Sequence, residues 1–348
     1  MKTRRILAAL LTVPLVAAVL GGIPAQAAPN PQLTVTDVKL GTTAVTVSGL
    51  ELKPVEVTVK AGYRTTDPRD DDLVLNVYLK RTDGTGQARS LWSTNLKRTA
   101  GTVQDGTWTG PLEVPSTANG KFTVAGVSVG PYGPSPSGME DDPTPFDGQT
   151  LTVVGTHQPT FTNTTSPNPV PVNTTYKLIW RLTDSATGRA YGSRVKVIVA
   201  NDSGCAEGGW QSVLTDVNGY VSTTVVPNSG LNCVYIPTAT HELVWGNELT
   251  NFLAGVSAAP SKTSAKVGTL VPVNGTVTSA PPCKVNLQRL YGATQWRTVG
   301  TANIRTSGRF TLTAQPAYVG KIPYRVLMPA CLRYVAASSK PFTITGVR

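Results

Sequence analysis

Two histidines, four cysteines and 20 carboxylates are the groups in this 348-residue chain that could do chemistry, and their spacing decides which chemistry is open. His157 and His241 sit in polar connecting stretches. Neither belongs to an H-E-x-x-H or G-x-S-x-G motif, so no base stands beside a nucleophile. The carboxylates run in groups without aromatic neighbours, unlike the flanking pair of a glycosidase. No phosphate-binding glycine loop is present. An enzyme is not expected.

Cys205, Cys233, Cys283 and Cys331 lack the C-x2-C spacing of a zinc site. An even cysteine count in an exported chain points to disulfides, and four cysteines allow three connectivities. Cys205–Cys233 with Cys283–Cys331 is favoured, because each pair then falls inside one expected unit.

Two acidic runs remain: Asp67, Asp70, Asp71 and Asp72, then Glu140, Asp141, Asp142 and Asp147. Each precedes a strand, and loops at one end of a sandwich can converge. Hard oxygen ligands from both would suit Ca2+. Neither run has D-x-[DN]-x-[DN]-G spacing, so solvated loops are the simpler expectation, and no other cofactor is called for.

Charge is unevenly placed. Residues 28–155 carry 11 basic and 14 acidic side chains, 156–255 carry 5 and 6, and 256–348 carry twelve Lys and Arg with no Asp or Glu. Such a segment should attract polyanions: a cell-wall polymer such as teichoic acid, anionic lipid headgroups, or nucleic acid. Nucleic acid ranks last, since no nucleic-acid-binding motif is seen. Lys284, Arg289, Arg297, Arg305, Arg309, Lys321, Arg325 and Arg333 are the candidate contacts. Several adjoin aromatics, as in Trp296-Arg297 and Tyr324-Arg325. Neighbours along a strand point to opposite faces, which would leave a Trp and Tyr core beneath a basic exterior.

The elements that position these residues read as strands. Lys2, Arg4 and Arg5, the apolar run Ile6–Leu20 and Ala25-Gln26-Ala27 make a cleavable signal peptide over 1–27. Sec export is expected, with no membrane span in the mature chain. Beyond Pro29 come short alternating segments. In Leu73–Lys80, Leu73, Leu75, Val77 and Leu79 face one way, Asn76 and Lys80 the other. Asp83-Gly84, Asp105-Gly106 and Asn119-Gly120 mark turns. Gln158–Thr174 reads as a linker plus a first strand, and Ala258–Pro260 as a second linker. Trp210–Leu214 and Tyr220–Val226 read as a hairpin across Asp216-Val217-Asn218-Gly219. The segment around Trp210 parallels that around Trp296, with a fainter copy at Asp105–Trp108, and these spacings suit whole domains in tandem.

The third unit resembles the Ig-like repeats of many secreted bacterial proteins through Val285, Leu287, Gln288, Arg289, Trp296, Val299, Gly300, Thr301, Gly308, Phe310, Tyr324, Arg325 and Val326. The second is similar to the related carboxypeptidase-regulatory-like pattern through Thr183, Asp184, Thr187, Gly188, Val195, Val197, Thr215, Asp216 and Gly219. The resemblance implies all-β architecture: three tandem Ig-like β-sandwich domains over 28–155, 156–255 and 256–348, after a cleaved signal peptide. It also implies a spacer, adhesin or wall-binding role. The expectation is a secreted, non-enzymatic module protein that meets an anionic envelope surface, such as the cell wall, through its basic third unit. The alternative is a spacer or adhesin meeting a protein or glycan through first-unit loops.

Overall fold

The computed structural model describes residues 29–130, 143–200, 211–227, 232–240, 242–279 and 282–348. The expected signal peptide, His241, Cys205 and the run Glu140, Asp141 and Asp142 lie outside them.

The described chain is almost wholly β. Its first part comprises β1 (Leu33–Leu40), β2 (Ala44–Ser48), β3 (Leu52–Tyr63), β4 (Leu75–Asp83), β5 (Ser90–Trp92), β6 (Lys97–Gly101), β7 (Gly106–Pro115), β8 (Gly120–Val129), β9 (Thr144–Pro145) and β10 (Thr150–Thr156). One sheet runs β1-β3-β7-β6. The other runs β2-β10-β8-β4-β5, with β9 on β8. Leu75, Val77 and Leu79 bury their side chains between the sheets with Trp108 and Phe122. Each such side chain contributes about 1.5–3 kcal/mol of burial free energy. Asn76, expected on the solvent face, is also buried. Its amide nitrogen donates to the Gly130 carbonyl at 2.6 Å, so the far face of β4 is covered there and the N–H is paired.

The middle part holds β11 (Pro159–Ser166), β12 (Val170–Pro171), β13 (Tyr176–Asp184), β14 (Lys196–Ala200), β15 (Gln211–Leu214), β16 (Tyr220–Val225), β17 (Cys233–Pro237), β18 (Glu242–Asn247) and β19 (Phe252–Leu253). Its ladders are β11-β13-β16, β15-β14-β17-β18 and the parallel pair β12-β19. The last part holds β20 (Val256–Pro260), β21 (Ser264–Lys266), β22 (Val271–Val277), β23 (Lys284–Tyr291), β24 (Gln295–Asn303), β25 (Arg309–Ala314), β26 (Gly320–Met328), β27 (Ala337–Ser338) and β28 (Phe342–Val347). Its ladders are β20-β22-β25 and β21-β28-β26-β23-β24, with β27 on β26.

The three parts share one plan. An opening strand divides, its first half antiparallel in one sheet (β1, β11, β20) and its second half parallel to a closing strand (β2 on β10, β12 on β19, β21 on β28). Switching sheets in this way is the Ig-like arrangement of an antiparallel sandwich. The first part differs by β6, an added edge strand on β7. Each set encloses its own core, around Trp108, Trp180 and Tyr324.

Three sequence readings change. Residues 211–225 form no hairpin: β15 pairs with β14, while β16 pairs with β13 in the opposite sheet. The turn between them is tight, with Gly219 N donating to Asp216 O at 3.0 Å and Asp216 N to Tyr220 O at 2.8 Å. Gly219 has φ +82, and a Cβ there would meet Leu182 O at 2.2 Å. The connection from β24 to β25 repeats this geometry through Gly308–Arg305 and Arg305–Arg309. The fainter copy at Asp105 is different, since β6 and β7 on either side of it pair with each other. Finally, Gln158–Thr174 holds the expected first strand as β11, with β12 after it in place of a linker, and Ala258–Pro260 lies within β20.

Cys283 and Cys331 are joined by a disulfide with Cα atoms 6.2 Å apart, tying the approach to β23 to the loop after β26. Cys233 at the start of β17 is disulfide-bonded as well. Among the described residues, no helix is long and apolar enough to cross a membrane.

Candidate functional site

Three arginines of the basic third sandwich, Arg289, Arg297 and Arg325, lie on β23, β24 and β26, where strand pairing sorts them into two groups. On the outer face, Gln288 lies opposite Thr298 and Arg325, and Leu290 opposite Trp296. Arg325 Nε donates to Gln288 Oε1 at 2.8 Å, and its guanidinium lies 4.5 Å from the Trp296 ring centroid. Trp296 is therefore half-buried beneath an arginine on the outer face and is not part of the core. Tyr324 and Phe310 are the aromatics buried in the core.

On the other face, at the rim beyond Tyr324, Arg289 lies directly opposite Arg297. Both guanidiniums rest against Tyr291, at 4.4 Å and 4.9 Å from its centroid. Arg289 also donates to the Tyr291 hydroxyl, and Arg297 Nη2 donates to Gln295 Oε1 at 3.0 Å. Burial pushes the Tyr324 phenol above its usual range, and the Arg289 charge partly offsets that. The opposition of neighbours along a strand holds here, yet it missed these pairings because they run across strands. Trp296, Tyr291 and Gln288 were not among the expected contacts.

The remaining candidates are scattered. Lys284, Arg305, Arg309 and Lys321 are exposed. Arg305 reaches Thr311 Oγ1 at 3.3 Å. Arg333 sits apart, against the end of the middle sandwich. Its Nε donates to Thr250 O at 3.2 Å, and its Nη2 lies 3.6 Å from the Glu248 carboxylate. Glu248 is buried and accepts from the Tyr176 hydroxyl and from Asn232 Nδ2 at 2.5 Å. Burial, and then Glu248, drives the Tyr176 phenol above its usual value. Arg333 is the one third-sandwich cation paired with a carboxylate among the described residues.

The acidic run of the first sandwich is engaged locally. Asp67 caps a short 3-10 turn over Pro68–Asp72 and pairs with Arg69 at 2.6 Å, an interaction that lowers its pKa. Asp70 accepts from Thr65, and Asp71 meets Arg98 at 3.3 Å. Asp147 is exposed. Among the described residues, no group of three or more His, Cys, Asp or Glu side chains is placed to hold a metal.

His157, expected to be an inert linker residue, turns the chain between β10 and β11 with φ +52. Its Nδ1 lies 2.8 Å from Asp184 Oδ2, and that contact lowers the Asp184 pKa. Asp184 also accepts from Ala186 N and Thr187 Oγ1. Ser48, Ser193 and Tyr191 line the same open cleft, of about 550 Å³. A histidine oriented by a carboxylate near serines has the makings of a hydrolytic site. Among the described residues, however, neither serine hydroxyl is hydrogen-bonded to the imidazole. What the pair does is join the first two sandwiches, along with Tyr191 Oη donating to His157 O at 2.7 Å. Gln87 strengthens that junction by exchanging two hydrogen bonds with the Trp245 backbone, at 2.8 and 3.1 Å.

No family model and no curated protein matches this chain. Among solved structures, the chain is similar to the I67–I69 I-band fragment of titin at 11% identity and TM-score 0.27, covering 91% of this chain and 99% of that one. A biofilm-associated protein BSP domain aligns at 9% identity and TM-score 0.18, covering 92% and 68%. Escherichia coli alpha-2-macroglobulin activated by porcine elastase aligns at 10% identity and TM-score 0.21, covering 90% of this chain and 33% of that one. Scores this low assign no activity or ligand to the chain.

Proposed function

We propose that this is an exported, non-enzymatic protein of three Ig-like sandwiches (28–155, 156–255 and 256–348) whose third sandwich binds an anionic polymer of the cell envelope. The observation that carries this reading is electrostatic: residues 256–348 hold twelve cations and no carboxylate. A sandwich with no carboxylate of its own attracts polyanions at a distance and neutralises little of its field internally. The arginines held on Tyr291 and Trp296 are pre-oriented, which reduces the ordering cost of contact. The first two sandwiches, joined through His157, Asp184, Tyr191, Gln87 and Trp245, would then stand out from that surface.

Co-sedimentation of the mature chain with purified cell walls, before and after chemical removal of teichoic acid, tests this. Pelleting that requires the polyanion is expected. Equal pelleting with stripped walls, or none with either, would end the proposal.

A further inference from the structure

We propose that Arg289 and Arg297 form a seat for the phosphate of a base-free phosphodiester polymer; this rests on the polyanion reading above and names its ligand. Both guanidiniums touch one ring, Tyr291, from facing strands, so their charges are separated by no more than the sum of 4.4 and 4.9 Å. Like charges directly opposite on a sheet oppose folding. No acidic side chain exists between 256 and 348 to relieve this pair. An anion placed between the two would relieve it.

The hydrogen bonds to Tyr291 and Gln295 fix the two forks but use few of the five N–H donors that each guanidinium carries. The geometry selects among anions. The lone pairs of a carboxylate lie in its own plane and favour donors in that plane. The unesterified oxygens of a phosphodiester accept from donors all around their P–O axes, so one group can accept from two forks that do not share a plane. Lysine, a point charge without a fork, would lose this advantage.

The same contacts argue against nucleic acid. Binding to single strands relies on bases stacking on free aromatic faces. Tyr291 is already engaged by two guanidiniums, and Trp296 is covered by Arg325. A polymer of polyol phosphate, which has no base to stack, loses nothing by this.

The test uses the mature chain and immobilised poly(glycerol phosphate), with polyglutamate and single-stranded DNA as comparison polymers. R289K/R297K keeps the net charge and removes both forks; it should weaken binding about tenfold or more. R89K/R189K, the same exchange at exposed arginines of the first two sandwiches, should bind as the wild type does. Should the exchange at Arg289 disturb packing near Tyr324, R297K alone serves, since Arg297 is exposed; about threefold weakening is expected from it. Equal effects of the two double variants, polyglutamate bound as tightly as poly(glycerol phosphate), or DNA bound more tightly than either would overturn this seat while leaving the charge-based reading intact. Wild-type protein that binds no polymer at low salt would overturn the reading itself.

Discussion

Replacing Glu248 with alanine should be among the most damaging single changes to the stability of this protein. Its side chain is 2% exposed, and it accepts hydrogen bonds from the Tyr176 hydroxyl and Asn232 while facing Arg333 at 3.6 Å. Removing the carboxylate leaves a buried hydroxyl and an amide short of an acceptor, and leaves Arg333 without its anion. Breaking one side of a buried pair of this kind costs about 3–5 kcal/mol. Arg333 is different. At 3.6 Å from Glu248, its Nη2 is beyond a good hydrogen bond and is buried without another partner, so Arg333 gives up little hydrogen bonding when it is removed, while Glu248 keeps Tyr176 and Asn232. R333A should therefore cost less, about 1–2 kcal/mol, much of it from the lost contact of its guanidinium with the Phe252 ring. Urea unfolding followed by circular dichroism, with hydrogen exchange to identify which strands open, measures both variants. The three cores could unfold in steps, so the transition that releases β13 and β17 is the one to compare. An E248A loss below about 1 kcal/mol, or an R333A loss exceeding it, would refute the assignment of Glu248 as the centre of this network.

C283S/C331S should destabilise the third sandwich by about 4 kcal/mol on the loop-entropy estimate for the sequence separation of 48 between the two cysteines. The loss should be confined to amides of β20 to β28 in hydrogen exchange. Burial raises the phenol pKa of Tyr176 and Tyr191 above the usual value, so the folded state favours the neutral form. Their contribution is complete below about pH 10 and fades as the pH climbs through the raised values, and Y176F should flatten that alkaline limb in a thermal unfolding series. Asp184 has the opposite sign. Its contact with His157 lowers its pKa, so its contribution is present above about pH 4 and is lost as the pH falls toward the lowered value; D184N should remove that acid-side slope. An unchanged acid limb in D184N would show that the His157 contact does not form in solution.

Much of the fold was legible because period-2 alternation marks strands directly: Leu75, Val77 and Leu79 are buried as the pattern requires. Alternation does not say which sheet a strand joins. The segments flanking Asp216–Gly219 look like a hairpin because they are short, adjacent and separated by a turn, yet β15 and β16 part into opposite sheets. The Gly219 and Gly308 turns do share one backbone geometry, so the repeat seen in the residues was physical although its pairing was misread. Asn76 shows a second limit, since a polar residue on an expected outer face was buried by the Gly130 backbone. At the candidate site, the charge imbalance was visible in composition alone. The Arg289–Tyr291–Arg297 and Arg325–Trp296 groupings were not, because they depend on register between strands. His157 and Asp184 lie 27 residues apart and meet only through the turn between sandwiches.

The central claim is that charge in 256–348 recruits a polyanion, and a salt titration of binding tests it most directly. The mature chain would be titrated against poly(glycerol phosphate) at rising sodium chloride. Screening shortens from about 30 Å at 0.01 M to about 8 Å at 0.15 M, so an electrostatic complex should weaken steadily across that range. A steep fall in affinity with salt is the expected result. Affinity that stays flat, or that is absent at the lowest salt, would contradict the account.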